Sequence, residues 1–486
     1  MIVLNADNRI NIFAIIRLSA AAWLLAACGA ALAAAPDSAP PGDALAPLVS
    51  AYTRVVMPGE DADTYRDLMG NVLQRVQRSY AQEVELRFLT AAAIKALEPL
   101  APESGEPPAV FKTAITAALA ALDPHSRYYD PREYRDERTS VSGNFGGLGM
   151  EVDLSDGFVR VVAPMEGSPA ARAGLRSGDL IVRFDDQPVP GMTLADAISR
   201  MRGQPGTPIT LLIRRPGRAD DFSVALVREV IQSQVLRWRM QEDVLVLRLS
   251  RFTGSLTAMV EKAIKDATAS HAPRAVILDM RNNPGGLLRQ AILLADAFLS
   301  EGDIVSLRGR TAGNRRVWSA DAAEHLAGLP MVVLLNRGSA SAAELVAAAL
   351  QENGRAVVMG QRSYGKGSVQ SIMPLGVDKG ALRLTTALYH GPSGRTVQRT
   401  GVGPDIELVP APAPGERSGR READRMRALP GADEPLPPKA RVDESRCAPA
   451  GSKEDAALAC AVAFLKAGAV ESFVTMLESA ELPAQQ

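Results

Sequence analysis

The 486-residue chain has only three cysteines and four histidines. No histidine pair stands at the H-E-x-x-H spacing of a metal site, so no metal is implied, and no organic cofactor is implied either. Charge of one sign is also missing: 54 basic residues against 55 acidic ones give a net charge of −1. The signs are interspersed without a polybasic block, which argues against nucleic acid as the main partner. Beyond the N-terminus no apolar run is long enough to form a membrane helix. Of the cysteines, Cys447 and Cys460 lie close together, and an oxidising compartment could pair them and leave Cys28 unpaired. What the chain does have is length for two or three domains and 47% hydrophobic residues to fill their cores.

The first 33 residues read as an export signal. Arg9 and Arg17 precede the short apolar stretch Leu18 to Ala27, and small residues follow it. Two cuts fit. Ala31-Leu32-Ala33 would release a soluble periplasmic protein, whereas Leu25-Ala26-Ala27-Cys28 resembles a lipobox that would make Cys28 a lipid anchor. Residues 34–47 then form a Pro/Ala-rich linker.

Two segments in the second half of the chain bear chemistry. Ser341, in Gly338-Ser339-Ala340-Ser341-Ala342-Ala343-Glu344, follows the apolar strand Met331 to Leu335 and precedes an apolar helix from Ala342. At such a turn the first helical N–H groups are unpaired, so a negative oxygen formed there would be stabilised. Lys366 follows the strand Ala356 to Met359 and is bracketed by Gly365 and Gly367, which let the backbone bring the amine close to a target. A lysine drawn into a desolvated cleft drops from ~10.4 towards neutrality and becomes a base able to activate a serine without histidine. Each residue also has an ordinary reading. Ser341-x-x-Glu344 is a helix capping box, and Lys366 alone is a solvated loop lysine. A nucleotide loop, the third reading, fails at its last position, since Gly367 stands where a P-loop needs Ser or Thr.

Together these segments resemble the carboxyl-terminal processing peptidases, or tail-specific proteases, whose G-[ST]-A-S-A-x-E and F/Y-G-K-G-x-x-Q motifs they match. Leu122-Asp123-Pro124-His125-Ser126, Ile277 to Gly286 and Gly401 to Asp405 match further family segments in the same order. The resemblance implies a serine endopeptidase with Ser341 as nucleophile, Lys366 as base and Gln370 orienting the amine. It also implies that Gly286, or its neighbour Gly285, joins Ala342 in donating to the oxyanion.

The same resemblance organises the chain into α/β and α+β parts. Residues 48–137 are helical by pattern, with Leu68, Val72, Val76, then Leu86, Leu89, Ile94 and Leu97 mostly at three- and four-residue steps. In the family this region packs protomers together, so a homo-oligomer is expected. Residues 141–217 resemble a PDZ domain, with Gly147-Leu148-Gly149-Met150 as the carboxylate loop and Leu194 to Met201 as its helix. Backbone N–H groups of such a loop capture a terminal carboxylate while the peptide adds as a strand. Arg202 fills the place of a family arginine that relays ligand binding to the active site. Residues 222–410 alternate strands with helices at Leu256 to Ala269 and Gly286 to Leu299, which predicts a mostly parallel α/β core. The resemblance makes that core crotonase-like in type. Residues 411–486 begin as a flexible stretch and end in a helix over Glu454 to Leu465, with no strong motif.

The expected activity is therefore periplasm-facing cleavage of proteins and peptides recognised by a free C-terminal tail. Two other readings stay open: a PDZ scaffold that binds tails without cutting, and a Ser/His/Asp triad completed by His125 or His390.

Overall fold

A computed structural model describes residues 41–410, 421–447 and 455–479, apart from ten isolated positions in loops and turns. The export signal and Cys28 lie outside the described residues, as does the start of the expected flexible stretch, 411–420. Two units divide the chain, one of residues 2–130 with 370–387 and one of residues 131–369 with 388–486.

The first unit is built on four helices, Pro41–Val55, Glu60–Ser79, Leu86–Leu97 and Pro107–Ala120. Their apolar residues fall on one face at helical spacing, so Leu86, Leu89, Ala93 and Leu97 are all buried along the third helix. Pro107 sits in the first turn of the fourth, where a missing N–H costs nothing. Beyond it, Asp123 accepts the backbone N–H groups of His125 and Ser126 and the hydroxyls of Ser126 and Thr385. The Leu122-to-Ser126 motif is thus a buried polar knot that fixes a turn.

The second unit contains the PDZ sheet and the larger core. The PDZ strands run in the order Met150–Ser155, Phe158–Pro164, Leu180–Phe184, Pro208–Arg214 and Phe222–Val227, all antiparallel. Alternating residues such as Val159, Val161, Ile181, Leu211 and Ile213 point into one cluster under the helix Leu194–Met201. Thr193 and Asp196 cap that helix reciprocally. Because Met150–Ser155 is the end strand, its outer edge is open to a further strand.

The core sheet has seven strands in the order Leu236–Gln241, Val244–Leu249, Ala275–Asp279, Met331–Leu335, Val357–Gly360, Ile406–Val409 and Ala440–Asp443. Only the first pair is antiparallel. Its central strands Ala275–Asp279 and Met331–Leu335 are buried at every position, as their unbroken apolar runs require. The expected helix over Gly286 to Leu299 is shorter, Leu288–Asp296, and it starts late because Gly286 forms a β-bridge with Phe252 at a positive φ of 149°.

The C-terminal part has a clear structural role. Ala440–Asp443 extends the core sheet, and the helices Ala456–Ala467 and Val470–Ser479 bury Leu458, Ala461, Phe464 and Phe473 on its face. Cys447 and Cys460 are disulfide-bonded, which ties this layer to the end of the last strand. Among the described residues no single helix is long and apolar enough to cross a membrane.

Candidate active site

Ser341 stands at the break between strand Met331–Leu335 and helix Ala342–Glu352, with φ 57° and ψ −113°. A side chain in that region costs about 1–3 kcal/mol and persists only where the surroundings impose it. Ser339, the other serine of the segment, is fully buried, and its hydroxyl donates to the Met280 carbonyl at 2.9 Å while accepting the Asn336 N–H. Ser341 is only partly buried, and it is the hydroxyl on the strained turn.

Glu344 supplies much of the constraint. Its side chain is completely buried. One oxygen accepts the N–H of Ser341 at 2.7 Å and of Lys366 at 2.9 Å, while the other accepts the N–H of Gly365 and the Ser363 hydroxyl, both at 2.6 Å. Burial pushes its carboxyl up to about 7, against the downward pull of those four donors. Tyr389, also buried, places its hydroxyl 2.9 Å from the Ser341 carbonyl and 2.8 Å from that of Lys366, so that its single proton is shared between the two. The two segments singled out in the sequence are therefore bound to each other through their backbones. Sequence reasoning took Glu344 for a cap and missed Tyr389; the reach of Glu344 to a segment twenty residues on left no local signal.

The turn Asn283 to Gly286 closes on the same place. A side chain on Gly285, at φ 94°, would meet Ala340 O at 2.8 Å and Ala342 N and Ser341 Cβ at 2.9 Å. Only glycine allows that approach. Asn283 fixes the turn by accepting the Gly285 N–H at 2.9 Å and the Ala340 N–H at its own carbonyl, also at 2.9 Å. Among the described residues, the N–H groups of Gly286 and Ala342 donate to nothing.

Gln370 belongs to the other unit, where its side chain bonds Thr385 and Arg383. So does His125, whose backbone is part of the Asp123 knot. His390 is held down to about 4 by burial and then by the Arg308 charge, and its Nδ1 has no hydrogen-bond partner among the described residues. It lacks the carboxylate that orients a triad histidine.

In the PDZ domain, Gly147, Leu148, Gly149 and Met150 line a cavity of about 250 Å³ together with Ile198, Met201 and Arg202. The N–H groups of Leu148 and Gly149 donate to nothing among the described residues. Arg202 stacks over the Phe145 ring at 5.0 Å and has no carboxylate partner there. The described residues contain no group of acidic, histidine or cysteine side chains arranged to hold a metal ion.

Comparison with known proteins gives the following. Residues 243–408 match the family described as Peptidase family S41, and residues 160–215 match the PDZ domain family. A carboxy-terminal-processing protease of Bartonella bacilliformis is 44% identical over 313 residues, covering 64% of this chain and 72% of the relative. A carboxyl-terminal-processing protease of Picosynechococcus is 33% identical over 304 residues, 61% of this chain and 72% of its own. Among solved structures, the photosystem II D1 C-terminal processing protease is 27% identical with a TM-score of 0.44, covering 72% of this chain and 94% of that one.

Proposed function

The chain belongs to peptidase family S41 and is a carboxyl-terminal-processing serine protease with a PDZ domain, and on that premise we propose that it cuts by a Ser341/Lys366 dyad. The observation that carries the proposal is the shared bracing of the two residues by Glu344 and Tyr389.

In this reading neutral Lys366 takes the proton from the Ser341 hydroxyl as Oγ attacks the scissile carbonyl carbon. The oxyanion that forms is met by the N–H groups of Gly286 and Ala342, which are the unspent donors at the turn, whereas that of Gly285 is engaged by Asn283. Protonated Lys366 then gives its proton to the leaving amine, and water hydrolyses the acyl-enzyme. By its place in the motif, Gln370 is assigned the orienting role. The triad alternative finds no support in His390, which burial keeps uncharged and whose Nδ1 meets no carboxylate among the described residues.

Substrates are proteins and peptides with a free C-terminus, held by the PDZ loop Gly147 to Met150, with the tail added beside the open strand Met150–Ser155. Arg202 is assigned the signalling of tail occupancy. We place the enzyme in the periplasm, soluble or anchored through Cys28, for which the Cys447–Cys460 disulfide is a supporting observation, and we assign self-association to the N-terminal helices. Incubation of the purified protein with peptides of varied C-termini, read by mass spectrometry, is the test. Ser341→Ala and Lys366→Ala should each abolish cleavage while tail binding persists. Activity that survives Lys366→Ala but not His390→Ala or His125→Ala would overturn the dyad.

A further inference from the structure

A cleft of about 860 Å³ lies beside the nucleophile turn, and neither the dyad nor the PDZ loop uses it. Its floor is the exposed end of the core sheet. The antiparallel register sets Arg237 directly opposite Arg248 and Arg239 opposite Val246. Residues opposite one another share a face, so three arginines project from this face of the two end strands. Like charges facing each other across a strand pair are destabilising.

The carboxylates nearby balance only one of them. Asp279, nearly fully buried, pairs with Arg248 and with Arg281, and Arg281 pairs also with Asp455 at the start of the C-terminal helix. That network absorbs both acids of the cleft. The Arg237 side chain has no hydrogen bond or ion pair among the described residues, and that of Arg239 donates only to the Gln241 amide oxygen. Both are exposed. A surface that holds two uncompensated guanidinium groups next to a third is arranged for an anion.

The position of the cleft says which kind. Its far wall is Asn282 and Asn336, locked to each other by two hydrogen bonds of 2.8 and 2.9 Å. Asn282 leads directly into the turn packed on Ser341, and Asn336 opens the segment that ends at Ser341. The cleft that the arginines line therefore shares a wall with the two segments that lead to Ser341. Leu236–Gln241 is also the end strand of its sheet, whose open edge suits an extended chain.

We propose that this cleft is a second substrate-contact site that holds an acidic, extended stretch of the polypeptide being cut, with Arg237 and Arg239 as its specificity-determining residues. It rests on the peptidase reading for the identity of its occupant. It adds a preference for acidic sequence at a fixed distance from the scissile bond, independent of the C-terminal tail.

The test uses two arms on the full chain. In the first, peptides sharing one apolar C-terminus carry either Asp/Glu or Asn/Gln residues at stepped distances from the cut. The acidic set should show a KM about fivefold lower, with kcat equal, at one spacing, falling away at high salt. Arg237→Glu with Arg239→Glu should erase or invert that ratio while leaving the Asn/Gln peptides cleaved as before. In the second, the same charge reversal is compared in the Ser341→Ala background by binding an acidic peptide whose C-terminus is amidated, so that the PDZ loop is not engaged. At least a fivefold loss of affinity is expected. An acidic-to-neutral ratio that is unity, or is unchanged by the double substitution, overturns the inference, as does equal binding in the second arm. Failure to cleave even the neutral peptides would instead strike the peptidase reading, because the binding arm does not depend on it.

Discussion

Ser341 and Lys366 are held to one another by a buried carboxylate on one side and a buried phenol on the other. Glu344 Oε2 accepts both of their N–H groups, at 2.7 and 2.9 Å, and the Tyr389 hydroxyl shares its one proton between their carbonyls, at 2.9 and 2.8 Å. Neither partner needs to touch substrate to matter. They set where the two chains run, and a misplacement of about 1 Å at a reacting centre can cost about a hundredfold in rate. Tyr389→Phe removes one brace and keeps the ring packed. It should lower kcat by about ten- to a hundredfold, reduce stability by about 1–2 kcal/mol, and leave tail binding unchanged. An unaltered kcat would show that Glu344 alone fixes the pair.

Glu344 makes stability depend on pH in an unusual direction. Its folded-state pKa is raised from 4.5 to about 7 by burial. The folded protein therefore binds more protons than the unfolded chain between those values. The contribution is complete below about 4.5 and is lost as pH rises through about 7, on the order of 3 kcal/mol in total. Glu344→Gln cannot titrate. Urea unfolding at pH 5 and pH 8 should show wild type losing more stability than the variant over that interval, although the variant is weaker at pH 5 because an amide cannot accept from all four donors. A wild-type-to-variant difference that is constant across the interval would remove Glu344 as the titrating group. Under the proposed dyad, cleavage should run the other way and rise with pH, since Lys366 would act as a base only when neutral.

Gly285→Ala tests the contact between the turn and Ser341. The new methyl would lie under 3 Å from Ala340 O, Ala342 N and Ser341 Cβ, on backbone at φ 94° that alanine disfavours. The Ser341 segment has to shift. Cleavage should fall by at least about a hundredfold, as for loss of an oxyanion donor. Tail binding at the PDZ loop should be unaffected. Near-normal kcat in a folded variant would mean that the turn does not shape the site.

How much of this could be read beforehand depended on the range of the interactions. The strands Ala275–Asp279 and Met331–Leu335 were legible because burial on both faces demands unbroken apolar runs, and the turn at Ser341 because a strand pattern gave way to a helix pattern within a few residues. The helix in 454–465 was likewise found to within two residues at each end. What it packs on was not, since Leu458 and Phe464 meet Ile277 and Val332 only through the tertiary fold. Tyr389 escaped for the same reason. It stands in a strand whose alternation explains a buried aromatic without reference to Ser341, and only the register of distant segments brings its hydroxyl there. The oxyanion choice between Gly285 and Gly286 was likewise open in sequence, and what favours Gly286 in the proposed reading, the Gly285 N–H being taken by Asn283, is visible only in the folded turn.

The tail-recognition reading is tested at the substrate's last atom. The N–H groups of Leu148 and Gly149 are unspent, the strand Met150–Ser155 has an open edge, and Ile198 and Met201 line the cavity of about 250 Å³ beside them. A terminal carboxylate can take those N–H groups while an apolar last side chain fills the cavity. Amidating the C-terminus removes a charge-assisted anchor worth roughly 1.5–3 kcal/mol, so binding should weaken about ten- to a hundredfold, far more than when residues beside the scissile bond are changed. Replacing the last residue by Asp should add to the loss, because its carboxylate would be desolvated between Ile198 and Met201 in a cavity that Glu151 also lines. Peptides with matched sequences and free or amidated ends, compared by kcat/KM and by affinity for Ser341→Ala, make the measurement. Equal values for the two ends would mean that the loop does not read a carboxylate, and tail specificity would have to come from elsewhere on the enzyme.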